Sequence, residues 1–445
     1  MAAALPLSGR VAIVTGASRG IGRAIATHLA SLGAFLVLGY SSNSVAADQL
    51  ASQLNSSSDQ PPRAVSVRAD VSDADAVKFL FDAAESAFGG RAHIFIACAG
   101  VLDDKYPTLA ATTDEDWDRT FAVNTRGAFL CCREAANRLV RGGGGRIVCI
   151  TSSSVVSLRP RHAAYVASKA AVEAMVKVLA KEMKGTGITA NCVAPGPVAT
   201  EMFFAGKSDE WVKRIVEECP LGRLGEVEDI APVVGFLCTD GGEWVNGQVL
   251  RLGFRIPVIC LTNHPSLCVF ATAVHDQEEG FLELGSATHK QLRWLWLLTS
   301  AVIQGKWQWK CIDPMADTLP LSGRIAIITG TACGMGLGVA VHLASLGAFL
   351  VLGDCSDSPH LEQLVTKLNA SIDLPPRAIA LLVDIYVGVV KSLFDAVEST
   401  FGGRAHIIVT CAAICDYDYP FLAETSEEVW DHTLVVNARG SFLCC

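Results

Sequence analysis

Between Ile150 and Lys169, the residues Ser152, Tyr165 and Lys169 stand at spacings that suit proton transfer. Positions i and i+4 of a helix share a face, so a Tyr-x-x-x-Lys pair sets an ammonium beside a phenol. A neighbouring cation favours the ionised phenol and is expected to draw the Tyr165 pKa down from about 10, toward values useful for general acid–base catalysis at neutral pH. Ser152 follows the apolar run Arg146–Ile150 and can hydrogen-bond the same substrate oxygen. Ser153 and Ser154 are its rivals, read as capping or lining the loop because the spacing to Tyr165 favours Ser152. Tyr-x-x-x-Lys also arises on ordinary amphipathic helices, so its weight comes from what lies upstream.

Upstream stands Thr15-Gly16-Ala17-Ser18-Arg19-Gly20-Ile21-Gly22, after a short apolar run (Arg10–Val14) and at the opening of a helical pattern (Ile21–Leu32). Glycines there allow a tight turn and close approach of a pyrophosphate, and a helix N-terminus offers unpaired N–H groups. An acid at the end of the second strand would bond a ribose 2′-OH and repel a 2′-phosphate. The chain instead has Tyr40-Ser41-Ser42-Asn43, while Arg19 can pair with a phosphate. The pattern reads as NADP(H).

Further strand-like runs at Ala34–Leu38, Ala64–Val67, Ile94–Cys98, Arg146–Ile150 and Thr189–Val193 alternate with helical patterns. Such alternation implies an α/β protein with a Rossmann-type doubly wound parallel sheet. A net charge of −9 and a pI near 5.6 argue against nucleic acid as a partner. No apolar run approaches the roughly twenty residues of a membrane helix. Sixteen cysteines without C-x-x-C spacing point to buried reduced thiols rather than a metal site. With no secretory signal evident, a cytoplasmic location is expected, a plastid one remaining open.

The chain repeats itself. Leu5–Arg10 recurs at Leu319–Arg324 and His28–Gly39 at His342–Gly353, both displaced by 314 residues; Phe88–Ile94 recurs at Phe401–Ile407, displaced by 313. Met315 then corresponds to Met1, and Cys445 to Cys132. Three regions are expected: 1–253, a complete α/β domain; 254–314, Trp-rich and unperiodic, an unassigned linker or translated non-coding sequence; and 315–445, a truncated half-domain lacking counterparts of Tyr165 and Lys169. The second copy keeps Gly330, Gly334, Gly336, Asp384 and Asn437 but has Cys333 for Arg19, Asp354 for Tyr40 and Ala413 for Gly100. It is expected to favour NAD if it binds a dinucleotide, and to be catalytically dead.

Over residues 8–251 these motifs resemble the classical short-chain dehydrogenase/reductase family. The resemblance implies a cofactor loop at Gly16, Ser18, Arg19, Gly20, Ile21 and Gly22, adenosine contacts at Tyr40, Ser41, Ser42, Asp70 and Val71, and a further cofactor segment at Ala99 and Gly100. It implies a nicotinamide segment at Pro195, Gly196, Val198 and Thr200, and a catalytic set of Asn124, Ser152, Tyr165 and Lys169. Tyr165 is then the proton donor, and Ser152 holds the carbonyl oxygen. Lys169 binds the nicotinamide ribose, and Asn124 anchors a water leading to solvent. Within the family the first copy looks most like plant aldehyde-reductase-like members, next like 3-oxoacyl-carrier-protein reductases. The expected activity is NADPH-dependent reduction of a small-molecule aldehyde or ketone; the alternatives are a 3-oxoacyl-carrier-protein reductase-like activity or a non-catalytic dinucleotide-binding scaffold. A homo-oligomer is usual in the family.

Two departures stand out. Ala97-Cys98 replaces paired asparagines that brace the central strands, and Val249-Leu250-Arg251 runs on without the usual Gly-Gly. Thr200–Leu221 is the expected substrate lid, with Phe203, Phe204 and Trp211 as candidates for an apolar pocket.

Overall fold

A computed structural model describes residues 4–56, 62–253, 319–332, 334–355, 359–370, 376–383, 390–414 and 420–444. The segment 254–314, Met1, Met315, Cys333, Asp384 and Cys445 lie outside the described residues. The chain divides into two compact units, Met1–Val258 with Asp416–Asp431, and Ile259–Cys415 with His432–Cys445.

In the first unit, strands β1 (Val11–Thr15), β2 (Phe35–Tyr40), β3 (Ala64–Arg68), β4 (Ile94–Ala97), β5 (Gly145–Ile150), β6 (Ile188–Pro195) and β7 (Val249–Leu252) form one parallel sheet in the order β3-β2-β1-β4-β5-β6-β7. Every residue of β1, β4, β5 and β6 is buried. This is why their sequences read as unbroken apolar runs rather than alternating ones: helices cover both faces. One face packs on α3 (Ala74–Phe88), α5 (Gly127–Arg138) and α7 (Ala163–Glu182); the other packs on α1 (Gly20–Ser31), α2 (Ser44–Ser56) and α10 (Val227–Cys238). Local signals set the helix ends. The Asp73 carboxylate caps α3 by accepting from Asp75 N, and Gly89 closes it at φ +72°. The doubly wound expectation holds for this sheet.

Strand order reverses between β1 and β4, so the loops leaving their carboxyl ends splay apart and open a crevice. Loops after β1, β4, β5 and β6 all emerge at that edge and carry the sequence motifs. Shorter helices α4 (Asp114–Phe121) and α6 (Ser154–Ser157) precede α5 and α7, and α8 (Glu201–Phe204) and α9 (Asp209–Glu218) follow β6 in the segment expected as the lid.

Residues 416–431 also belong to the first unit. The Trp430 ring stacks on Phe129 with centroids 4.0 Å apart, and Arg126 pairs with Asp431 at 2.7 Å and Glu427 at 2.9 Å.

The second unit carries a four-stranded parallel sheet, β10-β9-β8-β11, from β8 (Ile325–Thr329), β9 (Phe349–Asp354), β10 (Ala378–Leu382) and β11 (Ile407–Thr410). It repeats the glycine turn of the first, with Gly330 at φ +70° and Gly334 at φ +57°. The Asp354 carboxylate accepts from Ala332 N at 2.7 Å inside that turn.

Among the described residues, Cys131, Cys132, Cys149 and Cys192 are buried free thiols around the main core. Among the described residues no helix is long and apolar enough to cross a membrane.

Candidate active site

The glycine loop owes its shape to positions where a side chain has no room. A Cβ on Gly22 would lie 2.2 Å from the Gly16 carbonyl oxygen, and one on Gly16, at φ +67°, 3.0 Å from Ala99 Cα. The loop thus folds flat against β4, and α1 opens at Gly20 with its free N–H groups facing the crevice, a cradle fitted to a pyrophosphate. Thr15 supports it. Its hydroxyl accepts from Cys98 N at 3.0 Å and Ala99 N at 3.2 Å and lies 3.3 Å from the Ile96 carbonyl, which accepts its proton. This bracing from β1 acts where Ala97 and Cys98 lack asparagine side chains.

Beyond the glycine loop, Tyr40, Ser41 and Ser42 line the cleft and present no carboxylate. Asp70 turns its carboxylate onto Ser72, accepting from its N–H at 3.0 Å and its hydroxyl at 2.8 Å. Arg19 reaches across the crevice to Glu201, the first residue of α8, at 2.8 Å.

At the other end of the same crevice, Ser152, Tyr165 and Lys169 come together. Ser152 and Tyr165 line the same cleft, and the Ser152 oxygen accepts from Ser154 N at 3.2 Å and Ser154 Oγ at 2.8 Å. Ser154 thus orients Ser152. Lys169 donates to the Ile150 carbonyl at 3.0 Å, with Nζ 5.9 Å from the Tyr165 ring centroid. A Cβ on Gly100 would lie 3.2 Å from Asn124 Oδ1 and 3.3 Å from Lys169 Nζ, so a side chain there would press on both.

Asn124 sits behind the cleft wall rather than in it, on a π-helical turn, Ala122–Arg126, of the kind that recurs at functional sites. Its amide is fully engaged, accepting from Val101 N at 2.8 Å and donating to the Val101 carbonyl at 2.9 Å and Ser168 Oγ at 3.1 Å. The other expected site residues, from Gly16 through Gly22 to Pro195, Gly196, Val198 and Thr200, line one cleft of about 640 Å³.

One expectation needs correcting. Burial raises the Tyr165 pKa, opposed by the Ser152 hydroxyl, and burial lowers that of Lys169. Desolvation outweighs the attraction on which the i, i+4 argument rested, because the ammonium turns toward the Ile150 carbonyl.

The lid contributes Phe203 and Trp211 to the cleft, whereas Phe204 points outward at 46 % exposure. Thr200 caps α8 by accepting from Phe203 N at 3.2 Å. Sequence reasoning missed Tyr106, Arg159, His162 and Lys207. They lie on loops and on the lid without periodicity or motif, and only the fold sets them near Tyr165. Tyr106 and His162 rings pack with centroids 5.0 Å apart. Lys207 donates to the Tyr106 hydroxyl and the Phe203 carbonyl, and burial lowers its pKa to about 8.

A doubly wound sheet with a glycine cradle at its switch point defines a nucleotide-binding α/β protein. The Ser152, Tyr165, Lys169 group at the far end of the cleft narrows that class, and comparison with known proteins gives the family. Residues 16–252 match the family model described as enoyl-(acyl carrier protein) reductase, and residues 324–445 match that of short chain dehydrogenase. The chain belongs to the short-chain dehydrogenase/reductase family. It is 62% identical over 252 residues to the NADPH-dependent aldehyde reductase-like protein, chloroplastic, of Arabidopsis thaliana, a match covering 55% of this chain and 93% of that one. It is 54% identical over 253 residues to NADPH-dependent aldehyde reductase 2, chloroplastic, of the same plant, covering 55% and 93%. A solved dehydrogenase/reductase from Sinorhizobium meliloti 1021 superposes with a TM-score of 0.52 at 36% identity, over 56% of this chain and 95% of that one. A short chain dehydrogenase from Burkholderia cenocepacia J2315, solved in complex with NADP, superposes with a TM-score of 0.51 at 32% identity, over 56% and 97%.

Proposed function

We propose that residues 1–253 carry an NADPH-dependent reductase of aldehydes or ketones, with Tyr165 as the proton donor. The observation that supports it most is the grouping of Ser152, Tyr165 and Lys169 in the cleft that also holds the glycine cradle. The chain is an NADP-dependent oxidoreductase, in keeping with relatives named for NADPH and a neighbour solved with NADP. The cradle at Gly16–Gly22 would hold the pyrophosphate, Arg19 with Ser41 and Ser42 the 2′-phosphate, and Lys169 the nicotinamide ribose. Bound NADPH supplies the hydride.

The chain's own residues do the rest. Ser152 and Tyr165 share the carbonyl oxygen, polarising it and aligning the carbon. As negative charge develops on that oxygen, the Tyr165 phenol gives up its proton and the hydroxyl forms. The buried Lys169 ammonium stabilises the resulting phenolate, and Asn124 fixes the turn beside it through Val101 and Ser168. Two relatives described as chloroplastic favour a plastid address over a cytoplasmic one, which a fluorescent fusion of the full chain would decide.

Replacing Tyr165 with Phe removes the proton but leaves the cradle. Reduction of a panel of aldehydes and ketones should fall by about 10² to 10⁴ while NADPH binding stays largely intact. Activity of Y165F within a few-fold of the unaltered chain would overturn the assignment. NADPH binding without turnover of any carbonyl by the unaltered chain would favour the scaffold reading.

A further inference from the structure

We propose that Lys207 forms an anion-binding end of the substrate cleft, so that the preferred substrates are carbonyl compounds bearing a carboxylate. The proposal rests on the reductase reading above and names its substrate class. Lys207 Nζ lies 4.5, 4.9 and 5.1 Å from the ring centroids of Tyr106, Phe203 and Trp211. Such a cage holds a cation and strips it of water. The neighbouring cations of the cleft have acids of their own: Arg159 pairs with Glu218, and Arg19 with Glu201. Lys207 has no carboxylate in ion-pair reach among the described residues; its partners are one hydroxyl and one carbonyl. A half-buried charge so placed gains from an incoming anion, which supplies the charge-assisted hydrogen bond the protein withholds.

The position is right for substrate. Lys207 lines the same cleft as Ser152 and Tyr165, and the Tyr106 hydroxyl that accepts from it donates in turn to the Ala205 carbonyl at 3.2 Å. One ammonium between aromatic walls suits a flat monoanion; a phosphate would call for more donors.

The full chain is assayed with 4-formylbenzoate and with its methyl ester, which differ in charge at the far end. The kcat/KM ratio of acid to ester should fall at least about tenfold in Lys207→Met and be largely retained in Lys207→Arg. An unchanged ratio in Lys207→Met, both substrates still being reduced, overturns the proposal while leaving the reductase reading in place. Calorimetry on the NADP⁺-saturated chain gives a readout that needs no turnover. Benzoate should bind at least about tenfold more tightly than benzamide, and Lys207→Met should remove that difference. Equal binding of the two by the unaltered chain overturns the proposal. Lys207-dependent preference for benzoate in a chain that reduces neither aldehyde supports the anion site and counts against the reductase reading.

Discussion

Arg19 illustrates how a single side chain can be claimed twice. Its guanidinium lies beside the glycine loop, where a 2′-phosphate would find it, yet it pairs with Glu201. Both side chains are largely exposed, and such pairs contribute about 0–1 kcal/mol. A charge-assisted hydrogen bond to a phosphate contributes about 1.5–3 kcal/mol, so the phosphate should displace Glu201. Arg19→Ala should therefore shrink the preference for NADPH over NADH by about one to two decades, read as the ratio of the two dissociation constants. If the ratio does not move, the phosphate is held by other residues. Tyr165 teaches a complementary point: its pKa direction follows from burial, which no i, i+4 spacing conveys.

At the scale of elements, the helix α7 is tied to the sheet by an ion pair. Arg251 on β7 meets Glu173 on α7 at 2.8 Å, and Glu173, whose side chain is 7 % exposed, also accepts from the Thr151 hydroxyl at 3.2 Å. The pair joins the last strand to the helix that carries Tyr165 and Lys169. Losing Arg251 leaves a buried carboxylate short of its charged partner. Arg251→Met is expected to destabilise the first unit by about 1.5–3 kcal/mol. At about 2–4 °C per kcal/mol for a domain of this size, thermal unfolding should show a clear drop, while an unshifted midpoint would mean that the pair is screened out.

For the molecule as a whole, the question is what residues 1–253 need from the rest of the chain. Every group assigned to the chemistry lies between Thr15 and Thr200, so a 1–253 fragment should reduce the same carbonyls as the full chain. It would, however, lose Trp430 from Phe129 and the Glu427 carboxylate from Arg126 and Arg133. An uncovered aromatic flanked by unpaired arginines favours association. The fragment is expected to be active and to elute above its monomer mass. An inactive fragment restored by adding residues 315–445 would show that the second copy completes the first. Residues 315–445 alone are expected to be poorly soluble, since Ile408 on β11 and Leu382 on β10 are 40 % and 71 % exposed.

The doubly wound sheet was legible because its central strands are buried on both faces and read as apolar runs between helical patterns, and because the glycine turn leaves residues no substitute can mimic. The first-copy motif residues also follow from the sequence, since loops at the carboxyl edge of a parallel sheet converge wherever strand order reverses. What only tertiary structure decided depends on distances between segments far apart in the chain. Thr15 bracing β4, Asn124 held behind the wall by Val101 and Ser168, Glu201 capturing Arg19, and Lys207 caged between Tyr106 and Trp211 all join side chains from segments that no local pattern links. The direction of the Tyr165 and Lys169 shifts belongs there too, because desolvation depends on how completely the surrounding elements exclude water, and a linear spacing says nothing of that.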